Sequence, residues 1–444
     1  MSFYPTLLQS SNNLKSYSWF DIKKIENVNC KRTKCVKNIT SEGYKTTIIN
    51  INPTDNQKNI LKKWFDGHTE MYNVTNSYMK EKIRQYYKEL NQDKVLTGIF
   101  SYDKKNKKWS FNFKAVRKFL DEQKRIIVKQ YNMNVHTVDY AIKHCVDMYN
   151  ASHALHNGNM KRFCLKNLTF NRRRLKLTLE KQSFNKNYTG FCVKTLGLMK
   201  SNISMECCYK QTELQYDTLK KTYKLSVSHK YDKQRKINRF DTKVGIDPGI
   251  RTFLTTYSEN CSYQIGDKTN QIIDKYIKKK DLMNRIINMK KEERGKKNVC
   301  NLRKAKIKYQ IKMENLIKDL HNRVARFLAI RYETIILGKL SIKSIVSKKN
   351  THLPRIVKRR LLVLSHHKFR MKLDTMSKKF GTNLVLISEC LTSRNCSGCG
   401  NTKQKDELGG SKVYRCSKCK LIIDRDINAA INIYSNKPMI DTTK

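Results

Sequence analysis

The stretch KVGIDPGIRTFLTTYS, residues 243–258, sets the reading of this chain. An apolar run delivers Asp247, Pro248-Gly249 supplies a turn, and a second alternating run returns. Read as strand, turn and strand, it sets a carboxylate in the middle of a sheet. The hairpin beside it leaves room for a phosphate. Asp-Pro-Gly alone is also an ordinary β-turn, so the weight rests on what surrounds it.

Downstream lie TSRNCSGCG (392–400) and YRCSKCK (414–420). Cys396, Cys399, Cys416 and Cys419 form two CxxC pairs separated by sixteen residues. Four thiolates at this spacing suit tetrahedral Zn²⁺, each pair closing one half of the site. No coordination position stays open, so the zinc is expected to be structural. DRDINAAINI (424–433) follows. Asp424 and Asp426 precede a helix of small residues that can pack closely on a sheet. Asp424 suits an N-cap. Asp426, nearest the Asn-Ala-Ala turn that docks, is the better metal ligand.

Charge narrows the partners. Lys plus Arg is 92 and Asp plus Glu is 37, a formal net of +55. Self-repulsion on that scale opposes compaction unless a polyanion neutralises it. Nucleic acid fits, because counterion release drives its association with a basic surface. A generic basic protein of the ribosomal or histone kind would share the composition. No run of about 18 apolar residues occurs, so no membrane span is expected. The first twenty residues lack a basic segment followed by an apolar one, so secretion is not expected. Four of the fourteen cysteines are paired in CxxC and ten are scattered. That suits a reducing compartment with one metal site rather than a disulfide framework.

A length of 444 residues allows about three domains. Residues 1–42 are polar and basic without clear periodicity and read as a mobile arm. YKTTIINI (44–51) alternates as a strand. In PTDNQKNILKKWF, Thr54 and Gln57 have capping-box spacing, and Ile60, Leu61, Trp64 and Phe65 form one helical face. FSYDKKNKKWSFNF (100–113) is expected to be a hairpin or a loop excursion. A helix is expected at 137–149, with Val138, Ala141, Ile142 and Cys145 on one stripe. RLKLTLEK (174–181), GFCVKTLG (190–197) and KTYKLSVSHKY (221–231) read as strands that join 44–51 in a small β-barrel. From 243 the pattern is mixed: strands at 243–247, 252–257 and 261–266, helix over 270–331, a strand at 334–338, a helix, and a strand at 383–388.

Taken in order, GIDPGIRTFLTTYS, TSRNCSGCG, YRCSKCK and DRDINAAINI resemble the transposon-encoded OrfB/TnpB family, most closely its eukaryotic and viral relatives, the Fanzor proteins. NPTDNQKNILKKWFDGHTEMYNVT and DLHNRVARFLAIRYETIILGKL are similar to that family's N-terminal and central segments. The resemblance implies a multidomain α+β chain. A wedge β-barrel with a helical recognition insertion is followed by an RNase H-like RuvC nuclease domain interrupted by a zinc ribbon. The implied boundaries are a flexible basic arm at 1–42, the wedge barrel at 43–52 and 161–240, and the recognition domain at 53–160. The nuclease domain takes 241–395 and 421–444, and the zinc ribbon 396–420. The family's activity is RNA-guided cleavage. A transposon-encoded, omega-type guide RNA directs cutting of double-stranded DNA beside a short flanking motif. No protein oligomer is indicated. A eukaryotic or viral host implies the nucleus, and any other host the cytoplasm.

Two-metal hydrolysis of a phosphodiester needs carboxylates around two Mg²⁺ ions about 4 Å apart. By motif matching Asp247 supplies the first and Asp426 the last. Family members commonly show an acid after the strand ETIILGKL (333–340), where this chain has Gly338. Glu333 lies at the other end of that strand, roughly 15 Å away, and is a poor substitute. The strand NLVLIS leads to Glu389. In RNase H-like order it lies beside the strand of Gly338, about 4.8 Å off. Glu389, reaching across a glycine with no side chain, is the expected third ligand. Gly338 also supports an alternative, a catalytically inactive RNA-guided DNA-binding protein of the repressor kind. A transposase or transposition accessory protein is a third reading. The ribbon between the second and third acids counts against it. The basic runs NRRRLK (171–176), YIKKK (276–280) and VKRR (357–360) are candidate channel linings, and PRIVKRR also resembles a nuclear signal. His321, beside the stripe Leu316, Leu320, Val324 and Phe327, is expected to pack or to touch phosphate.

Overall fold

In the computed structural model the chain divides into two units, residues 44–230, and residues 1–43 together with 231–444. The structure describes residues 8–16, 19–26, 35–88, 99–103, 108–155, 165–187, 189–202, 211–239, 241–294, 299–346, 353–388, 392–404 and 411–435. No helix among them is long and apolar enough to cross a membrane.

Strand β3 (Cys35–Ile51) enters the first unit at Tyr44 and leads to helix α1 (Asp55–Lys88). The capping box forms as expected. Thr54 N–H donates to Gln57 Oε1 at 2.9 Å, and Gln57 N–H to Thr54 Oγ1 at 3.4 Å. A hairpin of β4 (Phe100–Asp103) and β5 (Lys108–Phe111) precedes α2 (Phe113–Phe119), α3 (Asp121–Tyr131) and α4 (Val135–Leu155). Leu61, Trp64 and Phe65 of α1 and Val138, Ala141, Ile142 and Cys145 of α4 are buried. They share one core with Leu175, Leu177 and Leu179 of β6 (Arg174–Leu179). β3, β8 (Thr222–Arg239), β7 (Thr212–Asp217) and β6 form a four-stranded sheet in that order. The expected strand at 190–197 is instead one helical turn, α5 (Val193–Leu196). Cys192 before it (φ 48°) and Gly197 after it (φ 72°) are left-handed, which interrupts an extended backbone.

The second unit is a seven-stranded sheet in the order β1-β2-β11-β10-β9-β12-β13. The strands are β1 (Leu8–Ser16), β2 (Asp21–Glu26), β9 (Asp241–Pro248), β10 (Leu254–Tyr257), β11 (Cys261–Ile265), β12 (Tyr332–Lys339) and β13 (Asn383–Ser388). β9, β10 and β11 form an antiparallel meander, and β12 is parallel to both β9 and β13. β13 thus lies beside β12, as expected from the sequence. Parallel returns need long crossovers. Here α6 (Thr269–Arg294) and α7 (Cys300–Arg331) supply one. α8 (Ile342–Val346), α9 (Arg355–Leu364) and α10 (His366–Phe380) supply the other. Val244, Ile246, Ile335 and Leu337 pack with Leu320, Val324 and Leu328 of α7 and with Phe369 and Leu373 of α10.

The expected mobile arm is corrected over its described residues. Asp21–Glu26 pairs with β11, Ile22 opposite Ile265 and Glu26 opposite Cys261. Trp19, Phe20 and Ile22 are buried, and Trp19 Nε1 donates to Asp319 Oδ2 at 3.3 Å. Lysines around a single buried isoleucine make the segment look polar. The main-chain ladder is what holds it. A second anchor is Arg239, 2 % exposed. It donates to Ala329 O at 2.6 Å, Tyr332 O, Thr382 Oγ1 at 2.9 Å and Phe380 O at 2.6 Å. Its cation faces the carbonyl ends of α7 and α10, where positive charge is favoured.

Candidate metal centre and cysteine ribbon

Asp247 lies near the end of β9, level with Thr255 of β10, which is level with Gln264 of β11. Leu337 is level with Ile246, so Gly338 comes next to Asp247, and Gly338 is level with Ile387. Residues in one row face the same side. Asp247, Gly338 and Ile387 therefore share the face opposite the Val244–Ile246 core.

Helix α11 (Arg425–Ser435) covers that face. A Cβ at Gly245 would stand 2.4 Å from Ala430 O and 2.5 Å from Tyr434 N. Only glycine lets the helix backbone rest on β9. The far end of α11 lies over the start of β9. The Tyr434 ring meets Tyr257 edge-on at 5.3 Å, Lys243 Nζ stands 4.6 Å from that ring, and Tyr434 Oη donates to Glu259 Oε1 at 2.8 Å. The start of α11 then lies over the end of β9. One turn back from Ala430 to Asp426 is about 6 Å. From Gly245 to Asp247 is about 6.6 Å, so the two acids run toward the same spot. Gln264 Nε2, in the Asp247 row, donates to Asp424 Oδ2 at 3.3 Å.

Asp424 caps α11 as expected. Its Oδ1 accepts from Asp426 N–H at 2.9 Å and Ile427 N–H at 3.3 Å. Burial, and then the charge of Asp424, raise the Asp426 carboxyl above its ordinary pKa, against Arg425, Lys412 and Arg251. A cation at such a site relieves both penalties. Glu389 lies outside the described residues, and β13 ends at Ser388, level with Lys339. Glu333 sits at the other end of β12, close enough to Arg239 to act on its charge.

The four predicted cysteines come together. Their sulfurs all lie within 4.8 Å of one another, with Cys396–Cys419 at 3.5 Å and Cys399–Cys416 at 3.6 Å. Sulfurs bound at 2.3 Å around one tetrahedral zinc stand about 3.8 Å apart, so the set fits Zn²⁺. β14 (Val413–Arg415) and β15 (Ile422–Asp424) form the adjoining hairpin. Burial raises the pKa of the Cys396 thiol, a cost that a bound cation would offset.

Sequence reasoning missed how the ribbon is fastened. Asn428 of α11 is 0 % exposed. Its Oδ1 accepts from Ser397 N–H at 2.9 Å, and its Nδ2 donates to Asn395 O at 2.7 Å. Asn432 Nδ2 donates to Thr392 O and to Asn395 O, both at 2.8 Å. The available signal was two asparagines four apart on a helix beside the cysteines.

The other candidates have local partners. His321 packs on Phe253 with ring centroids 5.6 Å apart, and its Nε2 meets Leu364 O at 2.9 Å. In VKRR, Arg359 holds Asp281 with two nitrogens and Arg360 holds Asp274 with two, fixing α9 to α6. In NRRRLK, Arg172 donates to Thr69 Oγ1 at 2.9 Å, and Lys176 pairs with Glu213 at 2.7 Å. In YIKKK, Lys279 stands over Tyr309 at 5.2 Å. A large part of these runs therefore serves the fold.

A family model described as Cas12f1-like, TNB domain matches residues 366–433. TnpB-like protein L770 of Acanthamoeba polyphaga mimivirus is 31% identical over 465 residues, with 97% of this chain and 84% of that protein covered. TnpB-like protein R854 of the same virus matches at 31%, with 83% of its length covered. Among solved structures, the chain is similar to a Cas12f1–sgRNA–target DNA complex seen by cryo-EM. Identity is 16%, 89% of this chain and 100% of that chain are covered, and the TM-score is 0.33.

Proposed function

Because this chain belongs to the TnpB family, we propose that it is an RNA-guided, Mg²⁺-dependent DNA endonuclease with a RuvC-like site on Asp247, Asp426 and Glu389. The observation that carries the reading is the seat of α11 on Gly245, which runs Asp426 and Asp247 toward one end of one face. The net charge of +55 supports an omega-type guide RNA and double-stranded target DNA as partners. The four-stranded sheet of the first unit is read as part of a wedge barrel, and α1–α4 as its recognition insertion. In a eukaryotic host the protein would work in the nucleus, where the target DNA is.

Asp247 and Asp426 would hold the Mg²⁺ ions, with Glu389 as the proposed third ligand. When bound, the metal supplies Lewis-acid stabilisation of the attacked phosphate and lowers the pKa of a water. Asp424 fixes the first turn of α11 and so the direction in which Asp426 projects. The four cysteines would hold Zn²⁺ as a structural ion. Gly338 keeps the second reading in view, a guided binder that does not cut.

The test is cleavage of a supercoiled target by the purified full-length protein with its copurified RNA. Mg²⁺-dependent cutting is expected. Asp247→Asn and Asp426→Asn should each lower the rate by about 10³-fold or more, in the range of lost transition-state electrostatics, and leave target binding intact. Cutting that survives Asp247→Asn would sink the site. Tight guided binding with no cutting in Mg²⁺ or Mn²⁺ would select the binder. Joined rather than cut strands would select the transposase. Sequencing the copurified RNA tests the guide, and random fragments would count against it.

A further inference from the structure

We infer that Asn428 and Asn432 are positioning residues that couple zinc in the cysteine ribbon to metal binding at Asp426. The inference rests on the proposed metal-binding role of Asp426. Helix α11 meets three things at once. Its first turn carries Asp426. One flank rests on β9 at Gly245. Another holds the segment 392–397 that leads into the first CxxC pair. Four hydrogen bonds from two side chains make that last connection.

The bonds reach into the zinc half-site itself. Ser397, whose N–H is held by Asn428, lies between Cys396 and Cys399. Asn395, held by both asparagines, directly precedes Cys396. With zinc bound, this turn has one shape, and the wholly buried Asn428 amide has partners for its oxygen and its nitrogen. Without zinc, the turn loses the constraint on its two sulfurs, and a buried amide left unpaired is costly. The helix must then follow the turn or give up the bonds. It has little freedom to tilt, because β9 meets its main chain at Gly245. Movement along the strand remains, and that carries Asp426, two residues before Asn428, past Asp247. Linkage makes the effect reciprocal, so a cation on the acids tightens zinc by the same factor.

The test uses the full-length protein with its copurified RNA and Mn²⁺ as the probe. Bound Mn²⁺ is counted by electron paramagnetic resonance. The acid site is taken as the Mn²⁺ lost in Asp426→Asn. Zinc removal with a chelator is expected to weaken that site about tenfold, within the usual span of coupling between sites. In N428A/N432A the site should be weakened to a similar degree with one zinc still bound, and the chelator should change it no further. The single variant N432A should fall between. Hydrogen exchange over residues 424–430 of the wild type should rise when zinc is removed. Mn²⁺ binding that ignores zinc overturns the coupling, as does a double variant that keeps the whole zinc effect. A wild type with no Mn²⁺ removable by Asp426→Asn overturns the metal role and the coupling that rests on it. The exchange result then still reports whether the asparagines transmit the state of the ribbon, and unchanged exchange refutes that too.

Discussion

Gly67 and Gly245 are each pressed by a neighbour, one in each unit, but by different things. A Cβ at Gly67 of α1 would meet Met133 Sδ at 2.7 Å and Tyr131 Cγ at 2.8 Å. A Cβ at Gly245 would meet Ala430 O at 2.4 Å and Tyr434 N at 2.5 Å. Side chains can turn aside, whereas a hydrogen-bonded helix backbone cannot. At these two positions the helical unit meets side chains, whereas the sheet unit meets main chain beside its acids. A site on rigid elements holds its geometry better than one on loops.

Acid should give the largest effect. His321 and His366 of the sheet unit are stacked on Phe253, with centroids 5.6 and 5.1 Å away. Burial lowers each pKa to about 4. An unfolded histidine titrates near 6.5, so between about 6.5 and 4 the unfolded chain binds more protons than the folded one. The stabilisation is whole above 6.5 and falls as pH drops, by about 3 kcal/mol per histidine at pH 4. Urea unfolding at pH 7 and at pH 4 checks this, and H366F should remove one share. Burial also lowers His68 in the helical unit, to about 3, so acid should weaken that unit as well. Segment-resolved hydrogen exchange separates the two. A sheet unit whose exchange is unchanged down to pH 4 would break the account of its core.

The glycines themselves come next. G245A should cost about 3 kcal/mol, the upper range for an overpacked site, and slow cleavage about a hundredfold through misplacement of Asp426. G67A should cost less, about 1–2 kcal/mol, since Met133 can turn aside and alanine favours the helix, while the base of the Tyr131 ring yields less. Thermal unfolding and cleavage rates read both. Equal losses would erase the contrast between the units.

The smallest effect concerns VKRR. R359Q and R360Q should each cost about 1 kcal/mol or less, as partly exposed ion pairs do. Neither should alter how RNA binding depends on salt. A phosphate contact would instead reduce the slope of log K against log salt by about one per arginine.

Local signals were the legible ones. The cysteine spacing marked the cluster, Thr54 and Gln57 marked the start of α1, and strict alternation marked β6. Asp247 was legible because a strand, a turn and a returning strand are a local pattern. What stayed hidden depends on distant partners. VKRR reads as free charge until Asp274 and Asp281, about eighty residues earlier, are placed beside it. β7 was not foreseen, because its alternation is short and only Leu214 and Tyr216 are large and apolar in it, yet Leu214 is fully buried. GFCVKTLG alternates well enough for a strand, and two left-handed residues override it. Gly245 looked like one residue of an apolar run. Its reason lies in α11, some 180 residues away.

The strand Asp21–Glu26 hydrogen-bonds along the whole of β11, with β1 beyond it. A chain trimmed past Glu26 would bare the β11 ladder, and unpaired ladders recruit strands from other molecules. Such a truncation should clump in solution before it loses any chemistry. Its failure would then be colloidal, and a deletion series read only by cutting assays would mistake stickiness for a missing active residue.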